Sequence, residues 1–309
     1  MMLKRPLGRS GLRTSILGLG TMNFGSEWCG RRFVDETTAS SIIDAAIEAG
    51  VDLIDTADVY GLGASESMLG RLLVRRRNRV LLATKVCGEM RPGDPSSGGL
   101  SAKHIRDALD ASLARLCTDH VDLYMAHAPD PGVPIEETLE AFGRAKKAGK
   151  ARVVGCSNFS AAQWKEALAL ADGSLPRLEF NQVEFHLAAR GVEEALAPLA
   201  AAEGVSVLAW SPLAGGGLTG RYPGDRRRSA ALGLSASGLK GLSSVLDKAA
   251  RSAGLTPGQT ALGWAVSRPW VASAVFGASG QAQAGENLVA RPLDSRLVSV
   301  LDKARSLCL

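Results

Sequence analysis

Cysteine is scarce and poorly placed for metal or disulfide chemistry. The five thiols, Cys29, Cys87, Cys117, Cys156 and Cys308, are odd in number, scattered and never in a CxxC pair. That leaves no zinc signature, so no metal is expected, and it fits free thiols in a reducing compartment. No stretch nears the roughly 18 consecutive apolar residues that a membrane span needs. The N-terminal MMLKRPLGRSGLRTS is positively charged but lacks the apolar region of about 7–15 residues that makes a secretory signal. A cytoplasmic protein with no membrane partner is the expectation. Aromatic residues are only 5% of the chain, and none interleaves with its two basic clusters, Arg75-Arg76-Arg77-Asn78-Arg79 and Arg226-Arg227-Arg228. Despite a net charge of +5, a nucleic-acid partner is therefore disfavoured. The first cluster reads as the cationic end of a helix and the second as part of a Gly/Pro-bounded loop, on a surface suited to an anionic small molecule.

What is present is a globular composition, 46% apolar and 22% charged, arranged as a strand–helix alternation. Short β-rich runs begin near Ile16, Asp52, Val80, Val121, Ala151, Leu178, Val205 and Val271. Between them lie segments with helical periodicity. Ala39, Ile42, Ile43, Ala46 and Ile47 form one apolar stripe, opened by Asp35-Glu36 and stopped by Gly50. Pro134 suits a helix start, and Ser160 with Gln163 forms a capping box. Eight such units without a linker predict a single (β/α)₈ barrel, a TIM barrel, spanning residues 1–309. The segment before Ile16 is expected to form a hairpin closing the bottom. A doubly wound sheet would want three phosphate-binding glycines after its first strand, and Gly18-Leu19-Gly20-Thr21-Met22-Asn23 lacks the third. Long loops at 23–34, 87–100 and 211–237 all follow strands, which places them at the catalytic end of a barrel.

Groups suited to neutral-pH catalysis are few: four histidines and three tyrosines. Asp55, Tyr60, Lys85 and His127 fall at the C-terminal ends of strands two, two, three and four, where barrel enzymes place their chemistry. Alone, a strand-end Lys–Asp pair or a half-buried tyrosine is ordinary. Together they form a usable acid. A phenol titrates near ~10 and protonates a carbonyl oxygen poorly at pH 7; a neighbouring ammonium is expected to lower that value. Asp55 would keep Lys85 charged and aimed, and His127 would donate a hydrogen bond to a substrate oxygen.

Seven segments, LIDTADVYG (53–61), ATKVCG (83–88), LYMAHAPD (123–130), GCSNFS (155–160), FNQVEF (180–185), WSPLAGGGLTGRY (210–222) and VFGASGQAQAGENL (275–288), resemble the aldo-keto reductase superfamily in order and spacing. The resemblance covers essentially the whole chain. It implies a nicotinamide-dependent carbonyl reductase with Tyr60 as general acid, Lys85 and Asp55 tuning it, and His127 orienting the substrate. It further implies that Ser157, Asn158 and Gln182 hold the nicotinamide carboxamide with Trp210 stacked on the ring, and that Gly20, Thr21 and Met22, with Asp55, meet the cofactor. Ser211, Pro212, Leu213, Gly216, Leu218 and Arg221 would cover the pyrophosphate, and Gly277, Ser279, Gln283, Glu286 and Asn287 would reach the adenosine end. Gly215–Gly220 formally matches GxGxxG, but no helix is expected to start there.

Many members of the superfamily carry a basic residue for the 2′-phosphate of NADPH at the positions that here read Ser279 and Gln283. NADPH is the expected cofactor, with NADH use open. The substrate is a small carbonyl compound, with the keto group of a sugar nucleotide as a narrower variant, and Phe24 and Trp28 as candidate pocket walls. The competing reading is a redox-sensing regulatory subunit that binds the dinucleotide, like the β subunits of potassium channels. Oligomeric state is not legible.

Overall fold

Eight parallel strands close into a barrel in the computed structural model, which describes residues 2–25, 33–171, 173–221, 225–231 and 233–304. Strands β1 (Lys4–Pro6) and β2 (Arg13–Ser15) form a separate antiparallel hairpin. The barrel strands are β3 (Leu17–Gly20), β4 (Leu53–Asp55), β5 (Leu81–Val86), β6 (Val121–Ala126), β7 (Ala151–Ser157), β8 (Phe180–Glu184), β9 (Ser206–Trp210) and β10 (Val271–Gly277). Each pairs with the next, and β10 returns to β3, in the order of a (β/α)₈ barrel. Every expected strand start lies at most two residues from the observed one, the widest gap being Leu178 against Phe180.

The hairpin closes the bottom as expected. Leu7, at its turn, is fully buried in the cluster that fills the barrel interior. The Gly8 N–H donates to Ser206 Oγ at 2.9 Å and the Arg9 N–H to Glu179 Oε2 at 2.8 Å, both at the N-terminal side of the barrel strands. Gly8 has φ +57°, and a Cβ there would lie 2.6 Å from the Glu179 carbonyl oxygen, so only glycine fits.

Local signals in the chain set the helices. Asp35 caps Glu36–Glu48 by accepting from the Thr38 N–H, and the stripe Ala39, Ile42, Ile43, Ala46 and Ile47 is buried against the sheet. Each buried Ile contributes about 1.5–3 kcal/mol. The capping box at Ser160 and Gln163 is formed, and Pro134 directly precedes the helix Ile135–Lys147. Among the described residues no helix is long and apolar enough to cross a membrane.

The basic clusters differ from expectation. The helix Ala64–Leu73 ends before the first cluster, and Arg76 and Arg77 fold back onto Asp44 and the buried Asp122 at 2.6 and 2.9 Å. The second begins a short helix, Arg226–Ala231, instead of lying in a loop.

Two hydrophobic clusters reveal the two faces of the barrel wall. Leu53, Ala83, Leu123, Met125, Val153, Phe180 and Leu208 share the interior with Leu7, whereas Ile54, Leu82, Tyr124 and Val154 pack under the helices. Because strand side chains alternate, residues two positions beyond an interior residue point into the barrel mouth.

Candidate active site

That alternation assembles one polar cluster. Asp55 continues the inward register of Leu53, Lys85 that of Ala83, His127 that of Met125, Gln182 that of Phe180 and Trp210 that of Leu208. Lys85 Nζ donates to Asp55 Oδ2 at 2.7 Å, to the Thr56 carbonyl at 2.8 Å and to the Tyr60 hydroxyl at 3.2 Å. Tyr60 sits in the loop between β4 and the helix Ala64–Leu73, where its carbonyl accepts from the Ser65 N–H. Its ring meets His127 edge-on, with centroids 5.7 Å apart. The four residues read as catalytic candidates are thus brought together.

The Lys85 side chain is fully buried and that of Asp55 is 5% exposed. Burial alone would favour the neutral amine, but Asp55 and the Tyr60 phenol outweigh it and hold Lys85 protonated above its ordinary range. Burial pushes the Tyr60 phenol up; Lys85 pulls it back only in part, because Asp55 and Asp58 oppose the ammonium. The expected lowering of the phenol is therefore corrected: Lys85 limits a rise that desolvation imposes. Burial, helped by Lys85, pushes His127 down to about 3, so its ring is neutral at pH 7.

A second set of residues joins the tetrad across four strands. Gln182 Nε2 donates to Asp55 Oδ1 at 2.8 Å, and Ser157 Oγ donates to the Gln182 carbonyl at 2.7 Å. Asn158, in the left-handed region at φ +60°, donates through Nδ2 to the His127 carbonyl at 3.0 Å and accepts from Trp210 Nε1 at 3.0 Å. Thr21, at the end of β3, is buried and bonds to the Asp55 carbonyl at 3.0 Å. Gly20 and Gly277 are register partners on adjacent strands, and a Cβ on Gly277 would approach only the Gly20 carbonyl, at 3.9 Å. Met22 follows, half-buried.

Beyond β9 the chain winds tightly. Ser211, Ala214, Gly215 and Gly216 all have positive φ, and the N–H groups of Ala214, Gly216, Gly217 and Leu218 donate to carbonyls within the turn. The GxGxxG match begins no helix, and only a 3₁₀ turn, Ala214–Gly216, enters it. Leu213 and Leu218 are buried, the Leu218 N–H donating to the Leu213 carbonyl at 3.2 Å, and Pro212 is buried beside them. Arg221 pairs with Glu286 at 2.9 Å, tying this loop to the helix Gln281–Leu288. Gln283 Oε1 accepts from the Ser279 N–H at 2.8 Å. Asn287 is 3% exposed, and its Nδ2 has no partner among the described residues. A buried amide N–H without an acceptor is costly, on the order of 1–3 kcal/mol. This orphaned donor, the glycine pair at the strand ends and the wound loop fit a dinucleotide.

Phe24 is fully buried in the outer core and presents no surface to the mouth, which corrects its reading as a pocket wall. Trp28 lies outside the described residues. Sequence reasoning missed the Gln182–Asp55 bond, which the inward alternation from Phe180 signals, and a charged group beside the tetrad. There Glu66 is fully buried, accepting from Thr84 Oγ1 at 2.5 Å and from Arg115 Nε at 2.7 Å.

A family model described as the Aldo/keto reductase family matches residues 16–306. The chain belongs to that family. It is accordingly a nicotinamide-dependent oxidoreductase. Its relatives include an uncharacterized oxidoreductase of Bacillus subtilis, 41% identical over 70% of this chain and 68% of that one. Another is a protein of Arabidopsis thaliana named "Probable voltage-gated potassium channel subunit beta", 36% identical over 96% and 94% of the two chains. A solved family structure, an aldo-keto reductase from Bacillus halodurans in holo form, superposes with a TM-score of 0.83 at 32% identity, covering 98% of this chain and 96% of that one.

Proposed function

We propose that the chain reduces an aldehyde or ketone to an alcohol, reversibly, with Tyr60 delivering the proton. The observation that carries this reading is the buried pair of Lys85 and Asp55 bonded to a half-buried Tyr60, with a neutral His127 ring against the phenol. When bound, the nicotinamide supplies the hydride. Tyr60 holds a proton at its hydroxyl, and Lys85 Nζ, 3.2 Å away, stabilises the phenolate left after transfer. A positioned acid is commonly worth about 10²–10⁴ in rate. Asp55 keeps the ammonium charged and aimed, while His127, neutral and with an N–H to donate, orients the carbonyl oxygen. In the reverse direction the same phenolate accepts the alcohol proton.

Ser157, Asn158 and Gln182 would hold the carboxamide, Trp210 the ring face, the loop 211–221 the pyrophosphate, and Glu286 and Asn287 the adenosine. NADPH is the favoured cofactor, with weak discrimination. Ser279 and Gln283 lack charge, and a missing charged hydrogen bond costs roughly 1.5–3 kcal/mol, one or two decades of selection against NADH. The free thiols of Cys87, Cys117 and Cys156 suit a cytoplasmic setting. A sugar-nucleotide ketone remains the narrower substrate variant.

A second reading is favoured by the potassium-channel β relatives: a subunit that binds the dinucleotide chiefly to report on it. Parallel titrations with NADPH and NADH, followed by tryptophan fluorescence, test the first step of both readings. Binding of either is expected, with comparable affinities; no binding at millimolar concentration overturns both. Turnover of a panel of aldehydes and ketones then separates them, because a reporter subunit needs none.

A further inference from the structure

A cavity of about 310 Å³ lies beside the loop that carries Tyr60. Its wall includes Asp58, two residues before Tyr60, Met90 and Ser97 of the loop after β5, and His104 and Arg115 of the helix Ala102–Arg115. Two buried polar atoms on that wall, Asp58 Oδ2 and His104 Nε2, have no hydrogen-bond partner among the described residues. The charged neighbours are paired: Arg115 with Glu66 at 2.7 Å, Lys103 with Asp107 at 2.8 Å and Arg91 with Asp94 at 2.7 Å. Asp58 itself is fully buried. Its Oδ1 accepts from the Val59 N–H at 2.6 Å, and its own N–H donates to the Lys85 carbonyl at 3.3 Å. The Asp58 backbone is therefore fastened to the strand that bears Lys85, and its carboxyl is held by the Val59 N–H with one oxygen left to the cavity.

We propose that Asp58 is a positioning residue for proton transfer: its free oxygen takes up and releases a proton through this cavity, and its charge acts on Tyr60, two residues along the same loop. The effect on catalysis rests on the reductase reading above; the electrostatic coupling does not. Several charges face the carboxyl. From the helix Ala64–Leu73 comes Glu66, from β5 Lys85, and from the helix Ala102–Arg115 come Arg115 and, at the cavity, His104, Lys103 and Asp107. Cys87 just past β5 and Tyr124 on β6 also feel its charge. Burial and the Glu66 carboxylate push Asp58 up to about 7, with Arg115 and Lys85 pulling it back. It is thus neutral below that pH and negative above it. The negative form opposes Lys85 at the phenol and makes Tyr60 a weaker acid. His104, pushed below its ordinary value by burial, is neutral when Asp58 titrates.

The test uses the full chain without ligand, labelled with ¹³Cζ-tyrosine, the Tyr60 signal being identified by its loss in Tyr60→Phe. The wild-type Tyr60 signal is expected to step between about pH 6 and 8, tracking Asp58. Asp58→Asn, which fixes the neutral state, is expected to abolish the step, and His104→Gln to keep it. A wild-type signal that stays flat across that range, or a step that persists in Asp58→Asn, overturns the proposal. The wild-type arm needs no variant to fold, and none of these readouts needs turnover, so they stand apart from failure of the reductase reading. With an active substrate, the kcat profile is expected to lose its inflection near pH 7 in Asp58→Asn while KM stays put; an unchanged profile contradicts the catalytic effect.

Discussion

Replacing Lys85 by Met separates two jobs done by one ammonium. Met is close in length, so the main loss is charge and three hydrogen bonds, to Asp55 at 2.7 Å, the Thr56 carbonyl at 2.8 Å and the Tyr60 hydroxyl at 3.2 Å. Asp55, with 5% of its side chain exposed, is left with Gln182 Nε2 as its remaining side-chain donor. Deleting one member of a buried ion pair costs about 3–5 kcal/mol, most of it from the stranded charge. Adding Asp55→Asn removes that charge and keeps an acceptor for Gln182, so the double variant should recover more than half the loss. Urea unfolding at pH 7 reads both through the shift in midpoint at constant slope. Turnover should fall by at least about 10²-fold in both variants, because nothing then offsets the burial that pushes the Tyr60 phenol up. A Lys85→Met protein within about 1 kcal/mol of wild type, or a double variant no more stable than the single, would refute the assignment of a buried, mutually dependent pair.

Two further outcomes follow from the same geometry. Gln283→Arg should raise the ratio of NADPH to NADH affinity by about 10–100-fold, measured by fluorescence titration, since it restores a cation at the expected 2′-phosphate position. His127 titrates near about 3 when folded, against about 6.5 unfolded, so the unfolded chain takes up the proton first as pH falls. Stability is therefore full above about pH 6.5 and declines toward pH 3, by up to about 4 kcal/mol; His127→Gln should flatten that slope in pH-dependent urea unfolding.

The fold was legible because its signals are local. Apolar stripes, the caps at Asp35 and Ser160 and the β-rich runs each act over a few residues, and the barrel follows from their alternation. The tetrad was legible because Asp55, Lys85 and His127 each sit one inward step beyond an interior residue, a pattern of period two. The contacts that couple the site were not. Gln182 reaches Asp55 across 127 positions of chain; the alternation from Phe180 points its side chain inward but does not encode which residue it meets. Burial was the other missing quantity. It reverses the expected sign at Tyr60, removes Phe24 from the mouth and leaves one oxygen of Asp58 without a partner among the described residues. The Arg226–Ala231 helix was hidden for a different reason: a run of arginines has good helix propensity, but the flanking Gly and Pro read as loop.

The most direct test of the account is the rate of reduced-cofactor oxidation by wild type and Tyr60→Phe against a panel of aldehydes and ketones, with cofactor binding measured on the same samples. The account predicts that wild type turns over at least one carbonyl, and that Tyr60→Phe binds the dinucleotide nearly as well but loses at least about 10²-fold in turnover. A Tyr60→Phe protein that turns over at the wild-type rate would contradict it.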